Sequence, residues 1–231
     1  MKKYIFILSS IFLLSSCSIF RGKRNVKTIE EYEQEVILPE EKEEEKIFTG
    51  KETIADFLGE YVQVKYPHHQ FKKYIYVSIK RQKLYLIENN KIIKKYIVST
   101  AAKGIGNKEG SEQTPPGLHI IKKKIGEGIP VGGRFESRIY TGKTAPIYND
   151  TTRSLTDDVT SRILWLHGEE SGINKGRRVD SFKRLIYIHG TSEEGRLGTP
   201  ASHGCIRMKN EDVIELYSLV EEGTPVLILK N

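Results

Sequence analysis

The chain has 231 residues, 38% hydrophobic and 29% charged, with a net charge of +7 and two cysteines, Cys17 and Cys205. Residues 71–231 alone suffice for one domain with a real core, and so few cysteines exclude a disulfide framework. Charge is uneven, a net −2 over residues 1–70 against +9 over 71–231, so an anionic partner is expected for the second part, nucleic acid being one candidate.

The N-terminus reads as a targeting segment. Lys2 and Lys3 form a basic start, and Tyr4 to Leu14 is an apolar stretch too short to span a bilayer. The next residues, Leu14-Ser15-Ser16-Cys17, resemble a bacterial lipobox. That resemblance implies a signal peptide of residues 1–16, cleavage before Cys17, a lipid on the Cys17 sulfur and an acylated new N-terminus. Two or more acyl chains hold a protein stably on a membrane. The expected place is the cell envelope, lipid-anchored and facing the periplasm or the extracellular side. Ser18 lacks the acidic character that favours inner-membrane retention, which points to the outer membrane. With Cys17 lipidated, Cys205 is the only thiol in an oxidising compartment and has no intramolecular disulfide partner. An exported protein rarely meets nucleic acid, so anionic peptidoglycan or lipid headgroups suit the basic part better.

Residues 17–70 read as a tether. Arg21, Lys23, Arg24 and Lys27 can lie against headgroups, and Glu30 to Lys46 is dense in glutamate with few large apolar residues. Near 53–66 the pattern changes. Ile54, Phe57, Leu58, Tyr61 and Val62 make one face of a short amphipathic helix, capped by Thr53, stopped by Pro67 and suited to packing on the domain that follows.

From residue 71 the pattern is β. Tyr74 to Ile79, Leu84 to Glu88 and Ile92 to Ser99 are apolar or alternating runs, with Asn89-Asn90 as the turn between the second and third. Further strands are expected at Leu118 to Ile121, Ile163 to Leu166, Leu185 to His189 and Val226 to Leu229. A late helix starts at Asn210 as N-cap, carries Val213, Ile214, Tyr217 and Val220 on one face, and ends before Gly223 and Pro225. The fold class is mainly β with one or two helices, a β-sandwich-like domain over 71–231. Loops rich in Gly and Lys at 103–117, 126–133 and 168–178 are expected to rim a cleft.

The chemistry concentrates in Ser202-His203-Gly204-Cys205-Ile206-Arg207 and, upstream, Tyr187-Ile188-His189-Gly190-Thr191. A cysteine attacks as thiolate, so a neighbouring imidazole must lower its pKa or take its proton. Gly204 leaves the backbone beside the sulfur free of a Cβ, letting amides converge on an oxyanion. A zinc site from His189, His203 and Cys205 would lack the paired spacing of structural zinc ligands, and neither a metal nor a cofactor is expected. His68, His69, His119 and His167 read as structural or solvent-facing, with His167 the one nearest in pattern to the site.

His189-Gly190-Thr191, a short gap, then Ser202-His203-Gly204-Cys205-Ile206-Arg207 resembles the signature of the L,D-transpeptidase catalytic domain (YkuD-type). Val98-Ser99-Thr100-Ala101 and Thr114-Pro115-Pro116-Gly117 add to the match, which is weakest between Ile125 and Arg184. The resemblance implies that Cys205 attacks the carbonyl of the third residue of a peptidoglycan stem peptide and expels the terminal D-alanine. The thioester then passes to an amine, or to water in an L,D-carboxypeptidase. It implies His189 as base and Gly190 as its orienter, which without a side chain can act only through its carbonyl. His203 would shape the oxyanion pocket with the amides of Gly204 and Cys205, the two histidine roles being exchangeable. Ser202 and Arg207 would bind substrate, Arg207 through a stem-peptide carboxylate, with a surface salt bridge as its other reading. A sortase-like thiol enzyme and a non-catalytic peptidoglycan-binding lipoprotein are the competing functions.

Overall fold

The computed structural model describes residues 54–69 and 71–231. The signal peptide, Cys17, the basic and glutamate-rich tether and the Thr53 cap lie outside the described residues. Helix α1 (Ile54–Lys65) opens the described chain and buries Ala55, Leu58, Gly59 and Val62. Leu58, Val62 and Tyr66 pack with Tyr74, Tyr76, Tyr85, Ile87, Leu118 and Leu227 from the sheet. The helix thus packs its apolar face on the sheet that follows.

Ten strands and a second helix follow: β1 (Lys73–Ser78), β2 (Lys83–Glu88), β3 (Lys91–Ser99), β4 (Gly117–Ile125), β5 (Gly133–Glu136), β6 (Ile139–Thr144), β7 (Val159–Gly168), β8 (Tyr187–Thr191), β9 (Ile206–Met208), α2 (Asn210–Leu219) and β10 (Pro225–Leu229). The fold is mostly β sheet with two helices. The strand order is β4-β10-β1-β2-β3-β9-β8-β7-β5-β6, and β4 also pairs with β7. The sandwich suggested by the sequence is thus one sheet folded back until β4 and β7 meet, with the β5–β6 hairpin hanging from β7. Among the strand pairs of the described residues, β1–β10 and β8–β9 are parallel and the others antiparallel.

Alternation sorts the side chains. Ile75 and Val77 of β1 point into the main core with Leu84, Leu86, Leu164, Ile188, Ile206 and Val226, and Val213, Leu216 and Tyr217 of α2 close it. Tyr74 and Tyr76 face outward to α1, so β1 is buried on both faces, as its near-continuous apolar run requires. Asn89 and Asn90 both have positive φ (49° and 58°), the two-residue hairpin geometry their amides tolerate. The strands β5, β6 and β9 have no counterpart in the sequence pattern. β9 is three residues long, and β6 buries none of its side chains.

One capping expectation is corrected. Helix α2 begins at Asn210, with Lys209 as N-cap and no side-chain cap bond. The Asn210 side chain is fully buried instead. Its Oδ1 accepts from the Thr160 and Ser161 hydroxyls (2.6 Å each), and its Nδ2 donates to the Thr191 carbonyl (2.8 Å) and Glu194 Oε1 (2.7 Å). Asparagine is there because it bolts the helix start to β7 and β8.

Candidate active site

The site grows from the parallel pair β8–β9. Their register sets His189 beside Arg207 and Ile188 beside Ile206. Ile188 and Ile206 point into the core, so strand alternation sends Tyr187, His189 and Arg207 to the opposite face, and Cys205, two residues before Arg207, joins them. The motif 98–101 is brought alongside, with Ser99 pairing Arg207 and Ala101 bridging Ser202. His189 lies in the middle of β8, not at its end.

The loop carrying Cys205 is held by its own polar groups. Gly204 has φ +131°, a conformation L side chains rarely adopt, and a Cβ there would meet Ile186 at 3.3 Å. The Ser202 hydroxyl donates to the Cys205 carbonyl (2.6 Å) and accepts from the Gly204 amide (3.2 Å). Thr114, from the Thr-Pro-Pro-Gly stretch, donates to the Gly204 carbonyl (3.1 Å) and accepts from the Ala101 amide (3.0 Å). Ser202 is 2% exposed and its hydroxyl is engaged within the turn, where the Gly204 amide donates to it.

Cys205 keeps partial exposure. Its sulfur accepts from the Tyr187 amide (3.4 Å) and donates to the Leu185 carbonyl (3.3 Å). Leu185 is a bulky residue at φ +59°, an outlier of the kind that clusters at functional sites. Burial pushes the thiol up to about 12, opposed by the Tyr187 amide and by the charges of Arg207 and Arg184. His189 is 2% exposed. Burial draws its imidazole down to about 4, against the pull of Asp157 and of the Gly190 carbonyl. That carbonyl accepts from His189 Nδ1 at 2.7 Å, leaving Nε2 as the basic nitrogen. At neutral pH the resting pair is therefore thiol and neutral imidazole. The carbonyl role suits any residue, but position 190 needs glycine because a Cβ would lie 2.7 Å from Asn210 Oδ1.

The two remaining candidates stand elsewhere than expected. Arg207 is 2% exposed, with Nη1 on Glu193 Oε2 (2.8 Å) and Nη2 on Asp157 Oδ1. Arg207 is therefore not a surface pair but the hub of a largely buried ion network, with both terminal nitrogens already paired. The His203 side chain is 65% exposed, and its Nδ1 lies 2.7 Å from Asp157 Oδ2. It points outward to solvent rather than into an oxyanion pocket.

Several site residues carry no signal in the sequence. Asp157 lies in the weak 125–184 stretch, far from the motif it touches. Arg184 donates to the Gln113 carbonyl (2.7 Å) and bears on the Cys205 sulfur through its charge. Arg138 donates to the Tyr187 hydroxyl (3.1 Å) and sits 4.7 Å over the Trp165 ring, which stacks on Phe182 at 3.9 Å. For Tyr187 a signal exists, since strand alternation puts it on the same face as His189. His119 is buried between the Gly117 carbonyl (3.0 Å) and the Ser181 hydroxyl (2.9 Å), and His167 bonds Glu169 (2.9 Å). Among the described residues no group of three or more His, Cys, Asp or Glu is arranged to hold a metal ion. A surface cavity of about 320 Å³ at Ile97, Leu197, Lys209 and Asp212 includes none of the residues around the thiol.

The L,D-transpeptidase catalytic domain (YkuD) family model matches residues 72–228. The chain belongs to this family. A prokaryotic membrane lipoprotein lipid attachment site matches residues 1–18. The chain is 56% identical over 46 residues to "Putative L,D-transpeptidase YkuD" of Bacillus subtilis, a match covering 20% of this chain and 28% of that protein. It is 26% identical over 170 residues to "Putative L,D-transpeptidase YciB" of the same species, covering 74% of this chain and 70% of that one. An L,D-transpeptidase structure from Mycobacterium smegmatis aligns with a TM-score of 0.43 at 14% identity, over 68% of this chain and 58% of that chain.

Proposed function

We propose that this protein is a lipid-anchored L,D-transpeptidase of the cell wall with Cys205 as nucleophile. The observation that carries the reading is the shared face of β8 and β9, where a partly exposed thiol stands with a buried imidazole oriented by a backbone carbonyl. The sulfur attacks the carbonyl of the third residue of a peptidoglycan stem peptide as His189 Nε2 takes its proton. The Tyr187 amide and the charges of Arg184 and Arg207 meet the thiolate as it develops. The C–N bond to the terminal D-alanine breaks, and His189 returns the proton to the leaving amine. The thioester then passes to an acceptor amine, giving a 3→3 cross-link or an attached protein. Water in place of the amine gives the L,D-carboxypeptidase reaction on the same atoms. No cofactor enters either route.

The lipid attachment motif supports anchoring through Cys17 in the cell envelope; in this reading the domain faces the periplasm, and Ser18, which lacks acidic character, favours the outer membrane. Intact-protein mass spectrometry of the full chain with a stem tetrapeptide ending in D-alanine tests the chemistry. A thioester adduct on Cys205 is expected. In Cys205→Ala both adduct and turnover should vanish, and Cys205→Ser should be nearly as poor because a hydroxyl is far harder to ionise. Turnover in the alanine variant would refute the mechanism.

A further inference from the structure

Acylation and aminolysis each need a proton transfer, and the site holds two histidines at different depths. His189 is 2% exposed inside the sheet, while the His203 side chain is 65% exposed on the loop that carries the sulfur. Once Cys205 is acylated, the acceptor amine approaches from solvent and has to lose a proton on the solvent side. His203 is equipped for that. Its Nδ1–H donates to Asp157 Oδ2 at 2.7 Å, which leaves the Nε2 lone pair directed away from the carboxylate.

Asp157 is itself fixed. Its other oxygen accepts from Arg207 Nη2, and Arg207 Nη1 donates to Glu193 Oε2 at 2.8 Å. Glu193 is further held by Arg196 (3.1 Å) and the Ser154 amide (2.7 Å). A buried ion network is costly to assemble and is retained where it fixes a geometry. Here its solvent-facing end is an imidazole. Burial opposes the charge on Asp157, but Arg207 and His203 hold its carboxyl below the usual carboxylate range, so it stays ionised beside the ring.

We propose that His203, oriented by Asp157, is the base of the second half-reaction, taking the proton of the acceptor amine while His189 serves the first. The inference rests on the transpeptidase reading above. In the step, the amine nitrogen bonds to the thioester carbon and its proton passes to His203 Nε2. The C–S bond breaks, the Cys205 thiolate takes a proton from solvent, and His203 releases its own to solvent. His203 is thus a catalytic residue and Asp157 a positioning residue.

The test separates the half-reactions in the full chain, with a stem tetrapeptide as donor and a second tetrapeptide supplying the acceptor amine. In His203→Gln the thioester should accumulate, with aminolysis slowed about 10²–10⁴-fold and acylation far less affected. Exogenous imidazole should restore part of the aminolysis in His203→Gly, because the position is open to solvent. Asp157→Asn should lower kcat for aminolysis at unchanged KM for the amine, and Asp157→Glu should recover part of it. Aminolysis at the wild-type rate in His203→Gln, or acylation slowed as much as aminolysis, overturns the proposal. Absence of any thioester in the wild-type protein refutes the transpeptidase reading instead.

Discussion

Cys205 and His189 share a face but rest uncharged, and this sets how the thiol reacts. With the thiol pushed up to about 12 and the imidazole down to about 4, no thiolate–imidazolium pair forms near neutrality. Iodoacetamide labelling of Cys205 should therefore climb from pH 6 to pH 11 without a plateau at low pH. A plateau between pH 5 and 8 would show a preformed ion pair and contradict the neutral resting state. Arg207 permits a second prediction at this scale. It is the central counter-charge of Glu193 and Asp157, so Arg207→Met should cost about 3 kcal/mol by leaving buried Glu193 with Arg196 alone and Asp157 with His203 alone. Urea denaturation checks it, and a loss below about 1 kcal/mol would mean the network is not structural.

Among the elements, α1 and the Cys205 loop show how short segments acquire fixed places. Leu58 is fully buried between α1 and the outward tyrosines of β1 and β2. Leu58→Ala should destabilise the domain by about 2–5 kcal/mol, the usual cost of such a cavity. If α1 were part of a loose tether, the same variant would melt like wild type in a thermal denaturation. The Cys205 loop depends on Thr114, Ser202 and Gly204 rather than on apolar packing. Its placement next to Leu185 and Tyr187 follows from the β8–β9 register, which explains why a residue outside a regular strand can hold its sulfur on two backbone groups.

For the whole molecule, two buried neutral histidines govern the response to acid. His189 and His119 are both drawn down to about 4, in each case mainly by burial. The unfolded chain takes up a proton on each near the ordinary histidine value of about 6.5, so the native state is penalised as pH falls from there to about 4. Above about 6.5 neither state is protonated and the effect is absent. Below about 4 both are, and the full loss is reached, at most roughly 3 kcal/mol per histidine. Urea midpoints measured from pH 7.5 to 4 should decline over that window, and His119→Gln should flatten the decline. An unchanged slope in that variant would place the proton uptake elsewhere.

The features legible in the chain alone are local. Period-2 runs specified most strands, the Asn89-Asn90 pair specified its hairpin, and the face Ile54, Phe57, Leu58, Tyr61 and Val62 specified α1. The segments around His189 and Cys205 stood out through their glycines: Gly204 has φ +131°, while Gly190 is required by the close approach of Asn210 and Thr160, which the chain alone does not reveal. The rest depended on contacts that spacing does not encode. Nothing local told that Asn210 would point into the sheet rather than cap a helix. Asp157 reaches His203 and Arg207 from about fifty residues away, and only the folded sheet brings them together. The exposure of His203 and the burial of Arg207, four residues apart in one motif, were decided by the tertiary structure. A strand sends alternate residues to opposite faces, but which groups meet them there is settled by the segments folded across it.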